Sequence, residues 1–194
     1  MNWFANSLLA WFDVHGRKDL PWQTNINPYG VWVSEIMLQQ TQVATVIQYY
    51  QRFMQRFPNV ASLADADIDE VLHLWTGLGY YARGRNLHKA AQRIVSQHNG
   101  HLPDDQQQLE SLPGIGPSTA GAIRAIAMTQ RGVILDGNVK RVLGRLHATE
   151  WHYRVARIST ELAPRGDEQT PTRGMAEGTQ RRVGAGMTQG TGDS

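Results

Sequence analysis

Leu112-Pro113-Gly114-Ile115-Gly116-Pro117-Ser118-Thr119-Ala120 sets two glycines around one aliphatic residue, between two segments of helical pattern at 106–111 and 118–128. Glycine admits positive φ and lets another backbone come close. Ile115 then plugs between the two helices, and the tight turn 113–116 joins them. The first amides of the second helix have no intrahelical partner and point outward, which makes an anion site. A DNA phosphate suits such a site, because backbone amides hold a strand without reading its sequence. The same string also reads as an ordinary helical corner with glycine caps. Arg124 and Lys140 are candidates for further phosphate contacts, or are solvated surface charges.

Outward from this hairpin every patterned segment is helical. Trp3, Phe4, Leu8, Trp11 and Phe12 recur at helical spacing, and Gly16 ends that run. Leu20-Pro21-Trp22 reads as a non-helical connection, because proline restrains the residue before it. A helix is predicted from Pro28, a good first-turn residue, through Val31, Trp32, Ile36 and Leu38. Another covers 43–57, with Val46, Ile47, Tyr50, Phe53, Met54 and Phe57 inward, and Pro58 stops it. The acidic run Asp65, Asp67, Asp69 and Glu70 suits the entrance of a short helix at 68–75. Gly77-Leu78-Gly79-Tyr80-Tyr81 is a turn, and residues 83–98 form a helix with Leu87, Ala90, Ala91, Ile94 and Val95 on one side, closed by Gly100. Val133-Ile134-Leu135 is a brief apolar run before a last helix at 137–147. Period-two alternation is absent, so the fold class is all-α.

The 194 residues allow one domain, or one domain and a tail. A net charge of +2 is a weak argument for an acidic partner. There is no cysteine, which excludes disulfides, thiolate zinc sites and cysteine-held iron–sulfur clusters within this sequence. No apolar run approaches the roughly 18 residues of a membrane span. The first residues read as an amphipathic helix rather than a secretion signal, so an intracellular protein is expected. After about residue 150 the character changes. Residues 151–162 are patterned as a weak helix. From 163 to 194 there is no Leu, Ile, Phe, Trp or Tyr, and seven glycines. Such a tail buries too little apolar surface to offset its ordering entropy, and disorder is expected over it.

Two carboxylates stand out. Glu35, in Val33-Ser34-Glu35-Ile36-Met37-Leu38-Gln39-Gln40-Thr41, has largely apolar neighbours, and desolvation would hold its proton near neutral pH. Asp136 precedes Gly137-Asn138-Val139-Lys140-Arg141 at a helix entrance, where amides favour its ionised form. One acid kept protonated and one kept charged is the division of labour of glycosidic cleavage. Read alone, Glu35 is equally a solvated helix residue and Asp136 a plain N-cap.

SEIMLQQTQV, LWTGLGYYARGRNLHKAA, LPGIGPSTAGAI and ILDGNVKRVLGR, in this order and spacing, resemble the adenine DNA glycosylase family of MutY type, within the endonuclease III superfamily. The resemblance covers about residues 1–150. It implies a helix-hairpin-helix DNA glycosylase fold, a barrel of about six helices, as a catalytic core over 1–150 with the hairpin at about 106–128 and a degenerate tail over 151–194. It implies that Glu35 protonates adenine N7 and then handles water, that Asp136 stabilises positive charge at the sugar C1′, and that Asn138 orients the catalytic group. Gln40 and Tyr80 match residues that wedge into the DNA stack, although Tyr80 also reads as a core aromatic beside a glycine turn. Arg17, Leu20 and Trp22 fall where the family lines its adenine pocket. Gly114, Gly116 and Ser118 belong to the DNA-binding hairpin. Ser118 stands where bifunctional relatives carry a lysine nucleophile, which implies hydrolysis without an efficient lyase step, with Lys140 left as a source of weak lyase activity.

The implied partner is double-stranded DNA holding adenine opposite 8-oxoguanine or guanine, bound by a monomer. The family also carries four cysteines holding a [4Fe–4S] cluster and a domain that reads 8-oxoguanine; neither is in this sequence, so no cofactor is expected for it. The abrupt change beyond residue 150 points to a frameshift or truncation, and would leave Trp3, Phe4, Leu8 and Trp11 partly uncovered. Two other functions stay open: a thymine-mismatch or endonuclease III-like enzyme, and a DNA-binding fragment without turnover.

Overall fold

The computed structural model describes residues 3–146. The weak helix expected over 151–162 and the tail beyond it lie outside the described residues. Ten helices follow in order: α1 (Trp3–His15), α2 (Pro21–Thr24), α3 (Pro28–Leu38), α4 (Val43–Arg56), α5 (Val60–Ala64), α6 (Ile68–Trp75), α7 (Tyr81–His98), α8 (Gln106–Glu110), α9 (Pro117–Ala127) and α10 (Gly137–Leu146). There is no strand among the described residues, and none of these helices is long and apolar enough to cross a membrane.

Helix α3 is the axis of the molecule. Asn27 caps it by accepting from the Gly30 amide at 2.8 Å, and Pro28 opens it. Tyr29, Gly30, Val31, Trp32, Val33, Ser34, Ile36 and Met37 are all buried, so apolar contacts surround it. It packs on α2, α4, α7 and α9. Phe53 of α4 stacks edge-on against Phe57 at 5.0 Å and Trp75 at 6.0 Å, closing the core on that side. The Tyr29 hydroxyl donates to the Phe57 carbonyl at 2.8 Å and ties α3 to the end of α4. α5 and α6 lie on α7, and α8 on α9.

Two expectations are corrected, and one helix is added to them. Leu20-Pro21-Trp22 is not a plain connection: Leu20 is extended, and Pro21 opens the single turn α2. Proline restrains its predecessor but also suits the first helical position, and the second effect governs here. Helix α5 was not anticipated; five residues carry no full period, but Asn59 and Ser62 form a reciprocal capping box. Val95, expected to face inward, is 40% exposed; the inward face of α7 is completed by His88, whose Nε2 donates to the Ala66 carbonyl at 3.0 Å. α1 buries none of its residues, and Trp3 and Trp11 stand exposed on it.

Candidate active site

Glu35 is the one charged side chain in the stretch of α3 from Tyr29 to Met37, and its residue is partly shielded. Burial pushes its carboxyl up to about 7, and the negative charge of Asp136 adds in the same direction. Two carboxylates distant in sequence therefore act on one another in space.

Backbone geometry delivers Asp136 to this place. α9 packs on α3. The chain then turns at Thr129, in the left-handed region at φ 55°, and runs back beside α9. Gly121 of α9 meets Gly132 and Val133 backbone to backbone. Three residues later Asp136 caps α10: Oδ1 accepts from the Val139 amide at 2.8 Å and Oδ2 from the Asn138 side-chain amide at 3.3 Å. Arg141 in turn donates to the Asn138 side-chain oxygen. The capping and charge-bearing readings of Asp136 are thus one geometry, since the cap fixes where the carboxylate points. Asp136 and Asn138 are exposed, so a ligand approaching Glu35 from that side meets solvent-accessible groups.

Gln40 and Tyr80 share a feature that sequence periodicity does not carry. Both are non-glycine residues in the left-handed region, with φ 57° and 51°, a conformation uncommon for L side chains. Gln40 is exposed, and Tyr80 is 63% exposed at the N-terminus of α7, not in the core. Between them lies Arg83. Its Nη1 faces the carbonyl oxygens of Ile36 and Met37 at 2.9 Å and of Gln39 at 2.5 Å. Its Nη2 faces the Thr41 hydroxyl at 3.1 Å, the Leu78 carbonyl at 3.3 Å and the Gly79 carbonyl at 3.1 Å. The guanidinium also lies 5.7 Å from the Trp75 ring centroid and 5.5 Å from that of Tyr80. Burial lowers its pKa, and Tyr80 opposes that shift.

In the hairpin, Leu112 and Ile115 are buried as the plug between α8 and α9. Gly114 has φ +80°, beside the Asn86 side chain. Gly116 is the N-cap of α9 and faces open space, while Ser118 is partly buried. Arg124 is engaged within the protein, donating to the side-chain oxygens of Gln130 at 2.9 Å and Gln106 at 3.2 Å. Of the three pocket candidates, Arg17 is exposed, Leu20 is partly buried, and Trp22 is buried edge-on against Tyr50 at 5.4 Å.

Two residues of this region escaped the sequence reading. Arg83 had one signal, a cation in the first turn of a helix, where the dipole disfavours it. Gly121 looked like one small residue among several, and only the backbone of Gly132 and Val133 packed on it gives it meaning.

Residues 33–165 match the family model described as HhH-GPD superfamily base excision DNA repair protein. The chain is 51% identical over 145 residues to an adenine DNA glycosylase of Buchnera aphidicola subsp. Baizongia pistaciae, covering 75% of this chain and 41% of that protein. It is 50% identical over 154 residues to an adenine DNA glycosylase of Rattus norvegicus, covering 75% of this chain and 30% of the relative. The chain thus spans less than half the length of these relatives. Among solved structures, a thermostable thymine-DNA glycosylase superposes with a TM-score of 0.77 at 20% identity, covering 89% of this chain and 79% of the other. Endonuclease III in a non-covalent DNA complex superposes with a TM-score of 0.72 at 22% identity, covering 87% and 78%. These two likenesses are of fold.

Proposed function

This chain belongs to the HhH-GPD superfamily of base excision DNA repair proteins, and from that premise we propose that it hydrolyses the N-glycosidic bond of adenine mispaired with 8-oxoguanine or guanine in duplex DNA, as a monomer. The observation that carries this reading is the pairing of Glu35 with Asp136: burial holds the Glu35 carboxyl protonated near neutrality, and a second carboxylate stands close enough to reinforce it. The adenine DNA glycosylases similar to this chain supply the base.

The chemistry needs little else. A paired base is out of reach and must leave the stack, at a cost of about a few kcal/mol. Gln40 and Tyr80, exposed at neighbouring turns, fill the gap. Protonated Glu35 gives its proton to N7 of the everted adenine. The C1′–N9 bond then breaks with its electron pair passing to the base, and the Asp136 carboxylate faces the positive charge that grows on the sugar. Water adds to C1′, and its proton passes to the Glu35 carboxylate, which restores the acid. Ser118 offers no amine, so the product is an abasic site and not a Schiff base. The amides of Gly116 and Ser118, which flank Pro117 at the start of α9, hold a strand phosphate. The sequence contains no cysteine, so this chain offers no thiolate set for the iron–sulfur cluster that the resemblance implies.

The test is single-turnover release of adenine from duplexes with adenine opposite 8-oxoguanine or guanine, wild type against Glu35→Gln. Release is expected from the wild type and not from the variant. Release that survives Glu35→Gln removes the proposed acid, and release of thymine but not adenine reassigns the base.

A further inference from the structure

We infer that Arg83 is a positioning residue that joins Gln40 and Tyr80 into one rigid wedge for everting the base, an inference that rests on the function proposed above. The peptide carbonyl immediately before each of these left-handed residues accepts from this single guanidinium: that of Gln39 from Nη1 at 2.5 Å, that of Gly79 from Nη2 at 3.1 Å. A non-glycine residue at positive φ costs about 1–3 kcal/mol and persists only where its surroundings over-determine it. Here one side chain fixes the peptide entering both.

The same guanidinium binds Ile36 and Met37, whose carbonyls belong to the last turn of α3 and lack a helical partner. It also carries the Tyr80 ring on its face. Glu35 is one residue before Ile36, so the catalytic helix and the two wedge turns share one anchor. The arrangement is expensive in every other respect. A cation is brought into the first turn of α7 against the helix dipole, its Nε is buried with no hydrogen-bond partner, and every acceptor on its terminal nitrogens is a neutral oxygen. Lysine cannot reproduce it, because a single ammonium does not span two sets of carbonyls in a fixed plane.

The experiment places 2-aminopurine, fluorescent when unstacked, at the adenine position of a duplex opposite guanine, and uses the whole chain carrying Glu35→Gln so that the base is everted but retained. Adding Arg83→Met is expected to remove most of the fluorescence rise on binding. Duplex affinity measured by anisotropy should stay within about threefold, because the hairpin contacts are untouched. In the otherwise wild-type chain Arg83→Met should slow single-turnover adenine release about 10- to 100-fold. Where Arg83→Met fails to fold, Arg83→Lys carries the same readouts with a smaller loss. An undiminished fluorescence rise and rate in the variants overturns the role of Arg83 and leaves the enzymatic reading standing. Loss of affinity and melting temperature in step with the rise, in both variants, makes Arg83 a fold residue only and overturns the inference. No rise with Glu35→Gln alone, together with no release by the wild type, overturns the glycosylase reading and this inference with it.

Discussion

Gly121 and Val133 touch through their backbones: a methyl group on Gly121 would overlap the Val133 carbonyl oxygen, and one on Gly132 would overlap the Gly121 carbonyl oxygen. This contact seats the returning segment against α9, and Asp136 follows Val133 by three residues. The close backbone approach that precedes Asp136 therefore depends on a pair of glycines.

Gly121→Ala should destabilise the protein by about 1–3 kcal/mol, the usual range for forcing a methyl into a packed contact. It should also draw Asp136 away from Glu35 and let the Glu35 pKa fall back from about 7. Urea unfolding gives the first quantity and NMR titration of the glutamate carboxyl the second. An unchanged stability means the segment at 132–133 is not seated as described.

The single-turnover rate should be flat below about pH 7 and fall about tenfold per pH unit above it, because the acid form of Glu35 is then lost. Asp136→Asn removes a negative charge that supports this proton, second to burial, so the inflection should move to lower pH while the plateau drops. A profile whose inflection ignores Asp136→Asn separates the two groups.

Stability should carry the same signature. The folded pKa of Glu35 lies above its ordinary 4.5, so the folded state binds the proton more tightly than the unfolded chain. That contribution is fully present below about 4.5, declines between there and about 7, and is gone at higher pH. Glu35→Gln should flatten this decline and leave the variant more stable than wild type at about pH 8, by on the order of a few kcal/mol. Denaturation midpoints measured at about pH 5 and about pH 8 decide it, and parallel midpoints in the two proteins would count against a buried acid.

Gln40→Gly and Tyr80→Gly relieve positive φ at 57° and 51°. Each should raise stability by about 1 kcal/mol while lowering base eversion, a trade between fold and function. Thermal melting beside the 2-aminopurine signal reads both at once.

The hairpin glycines should behave unlike one another. A side chain at Gly114 meets Asn86 at 3.0 Å and a strained φ of +80°, so Gly114→Ala should lower the melting temperature. Gly116 opens on empty space, so Gly116→Ala should leave melting unchanged and weaken duplex binding several-fold by crowding the phosphate. Equal binding by wild type and Gly116→Ala would locate the phosphate elsewhere.

The sequence by itself determined the helices long enough to show their period. Val46, Phe53, Phe57, Leu87 and Ile94 were read from spacing as one-sided apolar faces, and each is buried. Glu35 and Asp136 were legible as candidates because one sits in an apolar run and the other before a helix. The one-turn helix α2 and the five-residue α5 were not legible, since neither is long enough to display a 3.6-residue repeat and both owe their place to capping and to packing on their neighbours.

What only the tertiary structure decided is which residues meet. Sequence spacing holds no information on the approach of α9 to the segment that leads to Asp136, because that approach depends on the absence of a side chain at Gly121 and not on any pattern. It holds none on Arg83 either, whose six acceptors come from three separate turns and become neighbours only after α3 and α7 have packed. Local propensities act over a few residues, whereas hydrogen bonds and carboxylate coupling act through space, and the chain must fold before the second kind of force exists.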